Sequence, residues 1–509
     1  MIKYSYILFL FISASVFGQL NPQTKSITKK FFPDFEEVKN VTPALKKKKG
    51  YTSDKELYAF IDDLKKNHPK KVQITYIGES QKGKKIPFVR MTNPNKKEKI
   101  KVFFQGGLHG NEMASPEGVL YIMYQLLNDE NYKHLLDDID LAVIPMANID
   151  GYLKKDRYAA NGLDLNRDQT KLMAKESVIL KQAFSDFTPE VAVDFHEYTA
   201  YRKDFAKLGN FGVANIFDVM FLYSANLNIP ENLREFTQKV FVKNASDVLT
   251  ENKLRNHPYI SSSKYKGDIH FKQGSISARS SATNYALTNA VSSLIEIRGV
   301  NLGRTSFKRR IQSMFLVAIS YLKTAIKHKK ELKSTIQKAI DTQKEIVVNS
   351  KRRVYKGKVK VLDLDTEEII ELEVIKRDAW LSSATLTRPT PKAYLIDANQ
   401  QKIIAKLKVL GVKVTTLDED TETEVEAYKI IAYKRNSKKY EQMNLQKVKT
   451  ELHTLNKNFP KGTFKVSLDQ KNANLVVEVL EPEAPNSFVT FGLIRTKKDA
   501  ILPIYRILK

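Results

Sequence analysis

A strand-forming run from Lys101 to Phe104 breaks into two glycines. A His and a Glu three residues apart follow, in Gln105-Gly106-Gly107-Leu108-His109-Gly110-Asn111-Glu112. The glycines allow a tight, irregular turn closed to most residues. Ser115 and Pro116 have the character of an N-cap and a first helical position, which predicts a helix to about Leu127. His109 and Glu112 therefore sit on a strand-to-helix loop, the end of an open α/β sheet at which ligands bind. An imidazole and a carboxylate on one loop suit zinc, which still requires a third protein ligand. Taken alone, the pair is weak evidence, since a His-x-x-Glu on a loop is more often a solvated polar turn.

The surrounding pattern supports such a sheet. Mostly apolar runs from Ile139 to Ala147, Val191 to Phe195 and Ser293 to Ile297 read as strands buried on both faces. Strands are also expected over Val72 to Gly78 and Lys85 to Met91. Helices are expected between strands, from Ser115 to Leu127 and from about Lys171 to Phe187. Ser53-Asp54-Lys55-Glu56 is a capping-box pattern that opens another, with Leu57, Phe60, Ile61 and Leu64 on one face. From Thr305 to about Val347 the apolar residues recur at helical spacing, predicting one or two long helices. Together these specify an α/β fold, a mixed, largely parallel central sheet flanked by helices. Beyond Asn349 the pattern changes. Tyr355 to Lys376 and Lys465 to Leu480 read as β-rich. Ala393 to Asp397, a helix to about Val409 capped by Gly411, and Val412 to Leu417 suggest a βαβ element. The expected layout is a signal peptide over 1–18, a poorly ordered polar lead-in over 19–50, an α/β domain over 51–348, and a smaller β-rich α+β domain over 349–509.

Composition narrows the function classes. The chain has 509 residues and no cysteine, which excludes disulfides, cysteine metal sites and a thiol nucleophile. Residues 1–18 have the features of a secretory signal: Lys3, an apolar stretch from Ile7 to Ile12, and small residues before Gln19. The apolar run is shorter than the ~20 residues of a membrane span, so cleavage and no stable membrane insertion are expected, leaving an exported protein, periplasmic or extracellular. The formal net charge is +27. It lies in scattered lysines rather than in basic residues interleaved with aromatics, so no nucleic-acid partner is expected.

The third ligand falls at another strand end. Val193-Asp194-Phe195-His196-Glu197 closes a buried-strand pattern, and His109, Glu112 and His196 make a two-His, one-carboxylate zinc site with a position open for water. Asp194 is available as an outer partner. Ser293-Leu294-Ile295-Glu296-Ile297-Arg298 sets an acid inside an apolar run. A buried Glu needs a reason, here either a general base or a salt bridge to Arg298 or another neighbour. Asn148-Ile149-Asp150-Gly151-Tyr152, Arg157 and Asn161-Gly162-Leu163-Asp164-Leu165-Asn166-Arg167-Asp168 complete the set. Arg167 and Asn166 offer a planar fork and an amide donor for a carboxylate, and Arg157 a cation for a carbonyl oxygen.

In that order these motifs resemble the zinc metallocarboxypeptidases of the carboxypeptidase A type, over about residues 51–325. Tyr76-Ile77-Gly78-Glu79-Ser80 and Gly83-Lys84-Lys85-Ile86 share the likeness. The resemblance implies one zinc ion on His109, Glu112 and His196, Arg157 as the carbonyl-polarising arginine, Asn166 and Arg167 as the grip on the substrate's C-terminal carboxylate, and Glu296 as general base. The implied substrate is a peptide with a free C-terminal carboxylate. The region after about 350, with Leu468-Asp469-Gln470 and Leu480-Glu481-Pro482-Glu483, resembles the extra C-terminal region of some bacterial members. The family's substrate-capping tyrosine has three candidates here, Tyr259, Tyr265 and Tyr285. Two rivals accompany this reading: a zinc amidase or deacylase of the same fold, acting on cell-wall peptides or acylated amino acids, and a non-catalytic binding protein.

Overall fold

A computed structural model describes residues 23–95, 98–201, 212–342 and 345–508. The expected signal segment, 1–18, lies outside the described residues. An eight-stranded sheet forms the centre, in the order Val72–Glu79, Lys85–Met91, Ile139–Ile144, Ile100–Gly106, Val191–Tyr198, Val291–Arg298, Val219–Tyr223, Asn256–Pro258. Its four middle strands, Ile139–Ile144 to Val291–Arg298, are mutually parallel, and antiparallel pairings flank them. The sheet is thus mixed with a parallel centre, as expected.

The middle strands are covered on both faces, which is why their sequences are near-continuous apolar runs. Phe103 meets Phe184 and Tyr285 edge-on, at ring-centroid separations of 5.3 and 5.9 Å. Those rings come from the helices Lys175–Phe187 and Ser281–Ala286. Helix Ala114–Asn128 pairs with Phe307–Lys327. They approach at Gly118, where a Cβ would lie 2.3 Å from the Met314 sulfur. The Ser53/Glu56 capping box forms as expected on helix Asp54–Asn67.

Several local expectations change. The helix after the glycine turn begins at Ala114 without a side-chain cap. Ser115 instead accepts from the Gly107 N–H (2.8 Å) and donates to the Phe195 carbonyl (2.5 Å), tying the turn to the next strand. Residues 23–50, expected to be poorly ordered, contain the helix Lys25–Phe31 and send Val38, Ala44 and Leu45 into the main core. Buried Glu117 holds this segment, accepting from the Ala44 N–H (2.8 Å) and the Thr52 hydroxyl. The stretch between 305 and 347 forms two helices, Phe307–Lys327 and Lys329–Asp341, before a strand begins at Glu345.

That strand, Glu345–Asp363, runs through the expected domain boundary. It pairs with Glu368–Pro389 and with Val213–Asn215, and Glu368–Pro389 pairs with Asp268–Gln273. A third sheet of six strands occupies the rest of the C-terminal region. Ala393–Ile396 and the helix Gln401–Val409 appear where expected, with Gly411 at φ +74°. Only Thr415–Thr416 of the following run is strand. Within Lys465 to Leu480, read as β-rich, the strand covers Phe464–Ser467 and the remainder is the helix Ala473–Leu480. Every residue of that helix is buried, so its apolar run carries no amphipathic period to distinguish helix from strand. Glu481 organises the core beside it, accepting from Tyr394 (2.6 Å), Tyr428 (2.8 Å) and Arg388 (2.7 Å).

Candidate metal centre and substrate cleft

Three parallel strands deliver the chemistry. Strand Ile100–Gly106 ends in the turn bearing His109 and Glu112. Gly107 there has φ +67°, and a Cβ on Gly110 would meet Gly151 and the Asp156 carbonyl at 2.1–2.4 Å. Glycine at 110 thus lets the turn lie against the segment that begins at Asn148. Strand Val191–Tyr198 carries His196, and Val291–Arg298 carries Glu296 directly opposite it in register. In parallel neighbours, residues in register face the same side, so Glu296 stands beside His196.

His109, Glu112 and His196 are buried, and one ligand atom from each lies within 4.8 Å of the others. The two Nδ1 atoms are 3.0 Å apart. They lie 2.6 Å (His109) and 2.8 Å (His196) from the Glu112 carboxylate. The outward nitrogens are occupied: His109 Nε2 donates to Asp164 (3.1 Å) and His196 Nε2 to Asp194 (2.8 Å). With a metal bound, these outer acceptors would keep the proton on each Nε2 and leave both Nδ1 lone pairs to the ion. The two inward nitrogens and the Glu112 carboxylate converge on one buried point, an arrangement that a cation at their centre satisfies. Burial opposes a charged His196, but Asp194 and Glu112 outweigh it and raise its pKa well above the usual histidine range. Burial likewise works to raise the Glu112 pKa, and the two histidines overcome it and pull it far below the usual carboxylate range. The donor set, two imidazoles and one carboxylate, fits zinc.

Asp194 therefore takes the outer role expected of it. Asp164 was visible in its motif without a role, and it is the hub of the second layer. Its Oδ1 accepts from His109 and from the Asn166 N–H (2.8 Å), and its Oδ2 from Arg157 Nε (3.0 Å). Arg157 reaches to 3.8 Å from Glu112. Burial would lower its pKa, yet Asp164 and Glu112 raise it. Asn148 caps the short helix Ile149–Lys154, and Asp150 receives the Ser80 hydroxyl (2.8 Å). The Asn-Ile-Asp-Gly-Tyr motif is thus a clamp behind the site.

Glu296 forms no salt bridge to Arg298, whose Nε donates to the Asn215 carbonyl (3.0 Å). Glu296 Oε2 is buried with no hydrogen-bond partner. Burial and Glu112 push its pKa up to about 7, against the pull of His196, His109 and Arg157. The next residue after His196, Glu197, is structural. It pairs with Arg310 (2.9 Å) and accepts from the Ala114 N–H (2.7 Å), holding the helix start.

His109, Glu112, Glu296, Arg157, Asn166 and Arg167 line one cleft of about 400 Å³. A larger groove of about 780 Å³ lies in the C-terminal region, lined by residues such as Leu386 and Val448, and holds none of these groups. Asn166 Oδ1 accepts from the Ser281 N–H (2.8 Å), Arg167 donates to the Asn166 carbonyl (2.7 Å), and among the described residues Arg167 forms no ion pair. Among the three tyrosines, Tyr259 lines the cleft. Tyr285 is buried against Phe184, stacked at 4.0 Å, and Tyr265 is exposed next to His270.

The chain is similar in sequence to known carboxypeptidases. Residues 57–199 match the family model described as zinc carboxypeptidase. The chain is 30% identical over 446 residues to carboxypeptidase 2 of Trichophyton rubrum, spanning 84% of this chain and 81% of that one. It is 29% identical over 474 residues to carboxypeptidase 2 of Trichophyton tonsurans, spanning 90% and 87%. The solved carboxypeptidase A of Helicoverpa armigera is 18% identical, covering 56% of this chain and 78% of that one with a TM-score of 0.43. With a relative this similar along four-fifths of its length, and a two-His, one-Glu cluster fit for one zinc ion, the chain belongs to the zinc carboxypeptidase family and is a metallocarboxypeptidase, a hydrolase of peptides.

Proposed function

We propose that the protein is exported and removes the C-terminal residue of peptides by an attack of water for which Glu296 is the base. The observation that carries the reading is the juxtaposition in one cleft of Glu296, with an unpartnered buried oxygen, and of the Arg157, Asn166 and Arg167 set. His109, Glu112 and His196 would hold the zinc ion, which would supply a Lewis acid and a water of lowered pKa. Glu296 accepts the water's proton at its carboxylate and returns it to the departing amine. Arg157, held by Asp164, donates to the oxyanion that develops on the substrate carbonyl. Arg167 and the Asn166 amide grip the free carboxylate and set the bond to be cut one residue from the end.

Export rests on the signal pattern over 1–18. Among the described residues, no helix is long and apolar enough to cross a membrane. The same proposal assigns catalysis to 51–348 and sets 349–509 apart as a β-rich C-terminal domain.

Two substitutions separate the roles. Arg167→Ala should retain zinc and lose on the order of a hundredfold or more in kcat/KM on free-acid peptides. Glu296→Gln should still bind them while turnover collapses. Unchanged turnover in Glu296→Gln, with zinc bound, overturns the assignment of the base.

A further inference from the structure

A second arginine waits beside the first. Arg279 lies between the strand Asp268–Gln273 and the helix Ser281–Ala286 and lines the same cleft as Arg167. Its backbone is locked to the carboxylate-gripping turn: its carbonyl accepts from the Gln169 N–H (3.2 Å), and Ser281 donates to Asn166. Its Nε is buried and has no hydrogen-bond partner, and among the described residues it forms no ion pair. The other cleft arginine nearby, Arg352, is committed to the carbonyls of Gln273 and Gly274 at 3.0 and 3.2 Å.

What holds Arg279 in place comes from the far end of the chain. Its guanidinium stacks on the ring of Tyr440, 4.7 Å from the centroid. Tyr440 sits at the tip between strands Thr421–Arg435 and Gln446–Phe459, where it exchanges two backbone hydrogen bonds of 2.8 Å with Met443. The tip is pinned to the catalytic turn. Glu441 accepts from the Asp164 N–H (3.0 Å), and Gln442 donates to the Asn161 carbonyl (2.6 Å). Glu441 and Gln442 both adopt positive φ, 46° and 63°, so the tip is a shaped turn.

Two guanidiniums thus face one cleft with no carboxylate on either. Burial and the nearby Arg167 lower the pKa of Arg279, only partly offset by Tyr440, Asp164 and Glu441. One anion answers Arg167 and leaves Arg279 with no ion pair of its own, its charge only partly offset by Asp164 and Glu441. We propose that Arg279 receives the side-chain carboxylate of substrates whose last residue is aspartate or glutamate, with Tyr440 as its positioning residue. This rests on the reading that Arg167 takes the terminal carboxylate. It also gives the C-terminal region a task in substrate choice.

The test uses the full-length zinc-loaded protein and peptides identical except for a last residue of Glu, Gln, Leu or Lys. The ratio of kcat/KM for Glu over Gln should be ~10–100, the gain of a charge-assisted hydrogen bond, and Lys should be the poorest. Arg279→Met should bring the Glu/Gln ratio near one, Arg279→Lys should keep part of it, and Tyr440→Ala should reduce it. A wild-type ratio near one, a preference for Lys, or an unchanged ratio in Arg279→Met overturns the proposal. Calorimetric binding of N-acyl-Glu and N-acyl-Gln to Glu296→Gln reads the same discrimination without turnover. If it persists while no free-acid peptide is cleaved, the exopeptidase reading fails and the anion site stands.

Discussion

Replacing Asp164 with asparagine removes a charge that two parts of the site share. The carboxylate takes His109 Nε2 and the Asn166 N–H on one oxygen and the Arg157 guanidinium on the other. An amide keeps one acceptor only. Whichever way it is turned, its NH2 faces a donor, either the imidazole N–H or the guanidinium. The His109 side predicts a metal effect, since loss of an outer carboxylate typically lowers affinity ~10–100-fold. The Arg157 side predicts a rate effect that saturating zinc does not repair. A misaimed oxyanion donor costs about 3 kcal/mol of transition-state stabilisation, on the order of a hundredfold in kcat/KM. Zinc affinity is measured by competition with a chromogenic chelator, and kcat/KM with zinc in excess. Asp164→Asn within twofold of wild type in both would refute the shared-hub reasoning. A loss in zinc affinity alone would refute the Arg157 half.

Lys181 is fully buried, with its amine 4.4 Å from the Phe184 ring centre and no hydrogen-bond partner, and burial pushes its pKa down to about 7. The unfolded chain keeps an ordinary lysine near 10.5, so between about 7 and 10.5 the unfolded state binds more protons. Stability therefore falls as pH drops through that window, by roughly 5 kcal/mol at most. Lys181→Met should raise the melting temperature at pH 7 and flatten this slope; an unchanged melting curve counts against it. Glu478 has the opposite sign: burial pushes its pKa up to about 7 against the donors Asn226 and Asn228, so its contribution is full below about 4.5 and is lost as pH rises towards 7. Glu478→Gln, read by thermal denaturation at pH 5 and pH 8, should be relatively more stable at the higher pH. Gly110→Ala should cost several kcal/mol or abolish zinc binding, because its Cβ would lie 2.1 Å from backbone; wild-type stability and zinc content in that variant would be the contrary result.

The parts of the site that could be read in the sequence are those set by strand ends. His109, His196 and Glu296 each close or follow an apolar run, and parallel register brings such ends together. The same logic misses Asp164, because a carboxylate in a turn shows no sign that it joins His109 to Arg157. It misses Arg279 for a longer-range reason. What distinguishes this arginine is Tyr440, 161 positions away, and no local pattern records that contact. Ser115 failed as a cap because its hydroxyl was needed between Gly107 and Phe195, a competition visible only once the neighbouring strand is in place. The helix Ala473–Leu480 reads as β-rich in the sequence because burial on all sides erases the period that separates helix from strand. The lead-in reads as polar because lysines and other polar residues outnumber its apolar ones, while Ile27, Phe32, Val38 and Leu45 are buried by packing against distant parts of the chain.

The most direct test of the central claim is to incubate the zinc-loaded protein with one peptide in two forms, free acid and C-terminal amide, and to weigh the products. If Arg167 grips a charged terminus as proposed, the free acid should lose its last residue, one at a time, and the amide should remain intact. Equal cleavage of both forms, or cleavage inside the peptide, would contradict the account and favour a zinc amidase or deacylase on the same fold.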